Sequence, residues 1–394
     1  MAGMRFRFKS KEIRTLATIT AAVLAIPAGW KSLTGFFTWM SPFIMLNSVF
    51  VLKSFVLLNL AGILILLLVF IKDRFFCRYL CPVGWCCDKI SGMSPRQAST
   101  HKKIPPLGKW LALLSLGASA AGIPLLILLD PMSVFHSFFS AFSGNPGFMT
   151  IVSLAGFPVL LLVNIMFPDI WCSKLCPLGG LQKIAMEIKS GLSAFIIKKQ
   201  RAENQYSPAR RYFLTTGIGL IGGLALTKLV KPSGSGYFRP PASISPEIFN
   251  TLCIRCGNCI KACPSKIITH HSDPFDLLSW MTPEVNFNSG YCLEMCNLCS
   301  RVCPSGSITL FSPEAKKHIF MGSAEIIYPD CLLAKNSECD RCKAACRYDS
   351  ITIEPSGELI QMKPVIKSEK CVGCGACAVI CPARTIKMIP PDQG

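Results

Sequence analysis

CIRCGNCIKACP, residues 253–264, is the stretch on which the fold turns. Cys253, Cys256, Cys259 and Cys263 follow the spacing C-x2-C-x2-C-x3-C-P, the bacterial pattern for [4Fe–4S] clusters. Three closely spaced thiolates wrap three irons of one cube, and the fourth, before proline, reaches the other cluster of a pair. CVGCGACAVICP repeats the run with Cys371, Cys374, Cys377 and Cys381, and CLEMCNLCSRVCP gives Cys292, Cys296, Cys299 and Cys303. A looser group sets Cys331 back from Cys339, Cys342 and Cys346, with Arg347 where proline is usual. Sixteen cysteines in four groups predict four clusters. Two intact runs argue against disulfides and zinc knuckles. No C-x-x-C is followed by His, so c-type haem is not indicated.

Short β-prone segments lie between these groups. KIITH (266–270) and EVNFN (284–288) separate the first two, with SITLF (307–311) after them. SITIE (350–354) and KPVIK (363–367) separate the last two, with TIKMI (385–389) following. They predict paired strands in two tandem modules, 245–312 and 325–394. In that arrangement Cys263 joins the second set and Cys303 the first, while Cys346 and Cys381 exchange likewise. Nested pairing, first group with fourth, stays open.

The other half is different in kind. Of 394 residues 51% are hydrophobic, mean hydropathy is +0.44, and the net charge is +19. Residues 1–239 hold 26 Lys+Arg against 7 Asp+Glu, which is the whole excess; residues 240–394 are neutral. The basic charge therefore belongs to the apolar half and excludes a nucleic-acid footprint. Five apolar runs, 13–30, 49–71, 110–129, 148–167 and 212–230, are long enough for a bilayer. Loops 72–109 and 168–211 carry eight Lys/Arg each, whereas loop 31–48 has one and loop 130–147 none. By the positive-inside rule the N-terminus and the basic loops are cytoplasmic, and the C-terminal half lies outside.

The expected fold class is thus a membrane α-helical domain of five transmembrane helices plus an α+β bacterial-ferredoxin-like polyferredoxin domain. SPARRYFLTTGIGLIGGLAL (207–226) opens the fifth run with Arg210-Arg211, a twin-arginine export signal. That route carries folded cargo, which suits clusters assembled before export. No A-x-A site follows, so the signal stays as the fifth helix. The expected domains are 1–200 (membrane), 201–232 (twin-arginine motif and fifth helix) and 233–394 (polyferredoxin).

Two membrane-half segments repeat each other: RFFCRYLCPVGWCCDKI (74–90) and DIWCSKLCPLGGLQKIA (169–185). Each ends a helix pair with C-x3-C-P, the tail of the cluster pattern. Together Cys77, Cys81, Cys172 and Cys176 supply four thiolates, so one or two further [4Fe–4S] clusters are expected at the cytoplasmic face. Cys86 and Cys87 are read as packing residues. LDPMSVFHSFF, at the outer end of the third run, holds Asp130 and His136, candidate catalytic proton acceptors for a quinol. GFFTWMSPFIML (35–46) is too short to span and is placed along the outer interface, walling a quinone pocket. His270, His271 and His318 are read as surface residues.

The cysteine half, with its twin-arginine signal, resembles the periplasmic four-cluster ferredoxin of nitrate-reductase and methylamine-utilisation systems over roughly 207–394. The membrane half resembles the quinol-oxidising subunit beside it over roughly 10–190, so the chain looks like a fusion of two proteins. The resemblance implies electron transfer from quinol through the clusters to a periplasmic reductase or cytochrome. It implies the bacterial inner membrane as location, with the quinone pool, the bilayer and the twin-arginine machinery as partners. An electron-supplying assembly factor for a periplasmic metalloenzyme, or a tethered binding module with structural clusters, would carry a similar sequence. No nucleotide-binding loop or nucleophile constellation points to a terminal catalytic site.

Overall fold

Proline and the residue before it organise the first half. The computed structural model describes residues 10–27, 30–55, 59–94, 105–143, 147–198, 208–228, 236–273, 276, 278–288, 290–356 and 361–391. Its helices are α1 (Ser10–Ala25), α2 (Phe36–Trp39), α3 (Pro42–Leu52), α4 (Asn59–Ile71), α5 (Phe75–Tyr79), α6 (Pro82–Ser91), α7 (Leu107–Ala120), α8 (Pro131–Ser140), α9 (Phe148–Met166), α10 (Pro177–Lys198) and α11 (Pro208–Thr227). Helices α3, α6, α8 and α10 each begin with proline, whose missing N–H costs nothing at a helix start. The residue before it caps the helix. Ser41 Oγ accepts from Ile44 N (3.5 Å), Cys81 Sγ from Gly84 N (3.3 Å), Asp130 Oδ1 from Met132 N (2.8 Å) and Cys176 Sγ from Gly179 N (3.4 Å).

Among the described residues one helix, α9, is long and apolar enough to cross a membrane; a second counts if the pair Lys31–Trp39 and Pro42–Leu52, bent by 93°, is taken as one span. Five such helices are not found, for local reasons. The run 13–30 stops at Ala25, shortly before Pro27. The run 49–71 breaks at Lys53, whose φ of 51° ends α3. The run 110–129 stops at Ala120; Gly122 turns back at φ 87°, and Pro124 follows. In α11 the apolar part is Leu214–Thr227. The side chains of Arg210 and Arg211, and the linker 229–235, lie outside the described residues.

Glycine lets three helices meet backbone to backbone. A Cβ on Gly117 would overlap Leu220 O, and one on Gly223 would overlap Leu114 O, so α11 lies against α7. Gly180 of α10 likewise meets the Gly108 carbonyl at the start of α7. Phe43, Phe76, Met132, Leu113 and Leu178 fill the core between them.

The second half is built from short pieces: α12 (Pro246–Leu252), α13 (Asn258–Ala262), β1 (Ile268–His270), β2 (Pro283–Val285), α14 (Leu298–Arg301), β3 (Ser323–Ile326), α15 (Arg341–Ala345), β4 (Ile351–Pro355), β5 (Met362–Ile366), α16 (Ala376–Ile380) and β6 (Ile386–Ile389). Strands β1 and β2 pair antiparallel with Ile268 opposite Val285, and β4 pairs β5 with Ile351 opposite Ile366. These are the hairpins expected at 266–288 and 350–367. The segment 307–311 forms only a bridge, Ile308 to Ser243, and β6 pairs with β3, a strand not anticipated from the sequence.

The halves touch through an apolar patch. Ile44 and Ile127 pack with Leu252, Ile254 and Cys256.

Candidate iron–sulfur sites

Helices α13 and α16 each start just after a cysteine loop and end at a cysteine that leaves for another site. Helix α13 begins after Gly257, whose φ of 66° turns the loop, and is followed by Cys263. Helix α16 begins after Gly375, at φ 80°, and is followed by Cys381. The exchange divides the sixteen cysteines among four cavities. The first is walled by Cys253, Cys256, Cys259 and Cys303. The second is walled by Cys263, Cys292, Cys296 and Cys299. Cys346, Cys371, Cys374 and Cys377 line a third, and Cys331, Cys339, Cys342 and Cys381 a fourth.

These cavities are tight, three of about 20 Å³ and one of about 10 Å³. They follow one another closely. The first two exchange Cys263 and Cys303, Cys292 N donates to Cys374 O (2.9 Å) between the second and third, and the last two exchange Cys346 and Cys381.

The thiols themselves argue for a cation. Burial, then repulsion from neighbouring thiolates, pushes Cys377 up to about 12 and Cys259 well above its ordinary value. Burial raises Cys256 to about 12 against the pull of the Asn258 N–H. Buried thiolates crowded in this way are held together by a positive partner, and four cysteines around each cavity fit the donor set of a [4Fe–4S] cluster. Among the described residues no three His, Cys, Asp or Glu side chains close on one point as a single metal ion needs. A cube instead takes one thiolate at each of four irons, and four cysteines around a cavity suit that.

The first half has a fifth four-cysteine cavity, of about 250 Å³, lined by Cys77, Cys81, Cys172 and Cys176. Cys77 lies on α5 and Cys172 in a π-helical turn, Trp171–Leu175. Cys81 and Cys176 cap α6 and α10, so two helix N-termini aim at the cavity and favour an anionic occupant. Arg14, Arg74 and Arg78 stand in the wall, with Arg74 Nη2 donating to Cys172 O (2.8 Å). Gln182 Nε2 donates to Cys77 Sγ (3.0 Å). Asp73 and Asp88 also stand in the wall, Asp88 paired with Arg14, so the guanidiniums exceed the carboxylates by one charge; with four thiolates and N–H donors to sulfur, the set fits a cluster of net negative charge.

Two families match the chain: the 4Fe-4S dicluster domain over residues 252–323 and 337–385, and a 4Fe-4S binding domain over residues 54–98 and 149–198. The second match falls on both C-x3-C-P segments. The methylamine utilization ferredoxin-type protein MauM of Methylorubrum extorquens is 30% identical over 205 residues, 48% of this chain and 92% of that protein. The chain belongs to the ferredoxin-type iron–sulfur proteins. The ferredoxin-type protein NapF of Escherichia coli K12 is 34% identical over 153 residues, 39% of this chain and 84% of its own length. NapG of the same organism is 32% identical over 203 residues, 46% and 85%. No solved structure matches. This ferredoxin-type protein is therefore an iron–sulfur electron-transfer protein with [4Fe–4S]-binding domains.

The two candidate proton acceptors are placed otherwise than expected. The sequence reading put Asp130 and His136 on the outer face and the C-x3-C-P cysteines on the inner one. In the structure Pro131 lines the cavity of those cysteines, and Asp130 lies within electrostatic reach of Cys176. Asp130 is fully buried; besides capping α8 it accepts from Ser41 Oγ (2.6 Å). His136 is also buried, with Nδ1 3.4 Å from Lys261 Nζ and the Asn258 side chain beside it.

Residues 35–46 are not one straight segment; they break at Ser41 into α2 and α3. His271 is not a surface residue: it is buried, with Nδ1 2.8 Å from Glu284 Oε2. His270 Nε2 is 3.3 Å from Ser140 Oγ, between the halves. His318 is exposed. Cys87 is fully buried in the first core, with Cys86 packed against it. Ser41, which shares Asp130 with α8, was missed; its signal is Ser-Pro at the equivalent place to Asp-Pro.

Proposed function

We propose that this chain is a membrane-bound quinol dehydrogenase that passes electrons through five [4Fe–4S] sites to an acceptor outside the cytoplasm. The observation that carries it is the fifth four-cysteine cavity, built into an apolar helical half and wide enough to be approached by a small molecule. Membrane residence is supported by an exposed apolar girdle: Leu16, Ile19 and Val23 on α1, Leu60, Leu64, Leu67 and Ile71 on α4, Ile151, Val159 and Leu162 on α9, Leu214, Ile218 and Ile221 on α11. On α1, α4 and α11 these repeat every three or four residues, facing away from the core, a pattern soluble proteins avoid. With helices this short the girdle would be completed by bent pairs and re-entrant segments, as in membrane proteins whose broken helices point their N-termini at a site.

The clusters would supply one-electron redox chemistry. The chain's part is to hold and tune them. Arg14, Arg74 and Arg78 offset negative charge at the wide cavity, and the N-termini of α6 and α10 do the same. Asp130, one residue from that cavity's wall, would take a proton from a quinol oxidised there. His136 is engaged with Lys261 and would serve docking rather than proton transfer. The twin-arginine motif would place the cysteine half outside, with α11 kept as an anchor because its glycines are locked against α7.

The test is anaerobic. Protein purified in detergent with its iron is mixed with decyl-ubiquinol, and bleaching of the iron–sulfur absorbance is followed. Rapid bleaching, slowed at least tenfold by Asp130→Asn, is expected; sites that dithionite reduces but quinol does not would sink the proposal.

A further inference from the structure

One ten-residue helix touches both kinds of site. At its start, Pro131 of α8 forms wall of the wide cavity of Cys77, Cys81, Cys172 and Cys176. At its end, Ser140 Oγ is 3.3 Å from His270 Nε2, and Gly257 packs so tightly on Ser140 that a Cβ there would overlap it. Both His270 and Gly257 line the first cavity of the second half, with Cys253, Cys256, Cys259 and Cys303. We propose that α8 is the bridge over which electrons pass between the membrane-half site and this first ferredoxin site. The proposal rests on the electron-transfer function above and adds the route.

From Pro131 to Ser140 the helix rises about 14 Å, and His270 Nε2 lies a further 3.3 Å from Ser140 Oγ, so the walls of the two cavities are separated by less than about 20 Å. The intervening matter is packed protein. Phe135 and Phe139 of α8 stack edge-on with ring centroids 5.1 Å apart, and Phe135 meets Phe157 of α9 at 5.5 Å. No hydrocarbon layer has to be crossed and no diffusing carrier is required between the sites.

The membrane half around the bridge is fastened to the ferredoxin half by groups that belong to the first cluster loop. Lys261, between Cys259 and Cys263 in sequence, is buried; its Nζ is 3.3 Å from Ala25 O and 3.4 Å from His136 Nδ1. Asn258 Nδ2 lies 3.4 Å from Thr38 Oγ1. Ile127 and Ile44 seal the edge against Ile254 and Cys256. The loop that wraps the first cluster is thus also the docking loop, and α8 is one of its partners beside α1, α2 and α3. The electron balance is simple. A quinol oxidised to quinone releases two protons and two electrons; the electrons cross α8 one at a time and leave to a one-electron acceptor protein, which turns over twice.

The experiment uses the full chain with its iron in detergent, reduced by dithionite, and reads electron paramagnetic resonance. Two reduced sites this close are expected to split and broaden each other's signals. Cys176→Ser should lose about four irons per chain and with them one component of the splitting of the first ferredoxin signal, the component from the second ferredoxin site remaining, while the remaining sites still reduce with dithionite. Ser140→Phe keeps every cysteine and pushes α8 from Gly257; weaker splitting at unchanged iron content is expected. Identical spectra for the native chain and Cys176→Ser, or native splitting in Ser140→Phe, would overturn the bridge. If the splitting depends on Cys176 yet decyl-ubiquinol reduces nothing, the bridge stands and quinol as donor falls.

Discussion

The ferredoxin sites and the membrane-half site hold the same number of thiolates by opposite means. In the ferredoxin half three cysteines of a set lie within eight residues in three of four cases, and the fourth comes from the partner group. In the membrane half two segments, 95 positions apart, contribute two cysteines each and must be brought together by α7, α10 and the π-helical turn. The cavities differ accordingly, about 20 Å³ or less against about 250 Å³. A loop that wraps its cluster locally leaves little spare space. A site assembled from distant helices leaves room, and arginines fill part of its wall.

The comparison can be broken first at the helix contact. Gly180→Val would drive a side chain into the Gly108 carbonyl and, through it, move Cys176. A loss of about 3 kcal/mol or more is expected from such overpacking. Iron analysis and absorbance should show the membrane-half site lost and the ferredoxin sites retained; loss of all sites together would make the two halves one cooperative unit.

A smaller effect is expected in the ferredoxin half. Gly375→Ala puts a Cβ at φ 80° and against the Phe287 ring, itself 5.2 Å from Phe238. The left-handed backbone alone costs about 1–2 kcal/mol. Because Cys371, Cys374 and Cys377 share one loop, iron content should hold while the urea midpoint of cluster bleaching falls. Iron loss as large as in Gly180→Val would show that local wrapping gives no protection.

The smallest effect tests the wall of the wide cavity. Arg14 pairs with Asp88, which is half exposed. Asp88→Asn should cost less than about 1 kcal/mol, as exposed pairs do. If it released iron from the membrane-half site, Arg14 would be held in place by Asp88 and not by the cavity's own charge.

Much of this was legible in the residues. The spacing of Cys253 to Cys263 and of Cys371 to Cys381 specified both the cluster type and the hand-over of the fourth cysteine, because loop length and proline are local properties. The hairpins at 266–288 and 350–367 followed from alternation and intervening turns. The repeated C-x3-C-P pointed to a shared site because its geometry needs only two copies of one segment. Length of apolar run did not translate into straight helices. Lys53, Gly122 and Pro124 break two of the runs, and hydropathy summed along a window does not register a change of direction.

What only the tertiary structure decided is where α8 goes. Asp130-Pro131 announces a helix start, but nothing in the chain says that this start reaches the cavity of Cys176 while its end meets Gly257. That depends on contacts between residues more than a hundred positions apart, made by shape and backbone approach. Cluster chemistry is written in short spacings and so survives reading in one dimension; the path between clusters is a matter of packing, and exists only once the halves are docked.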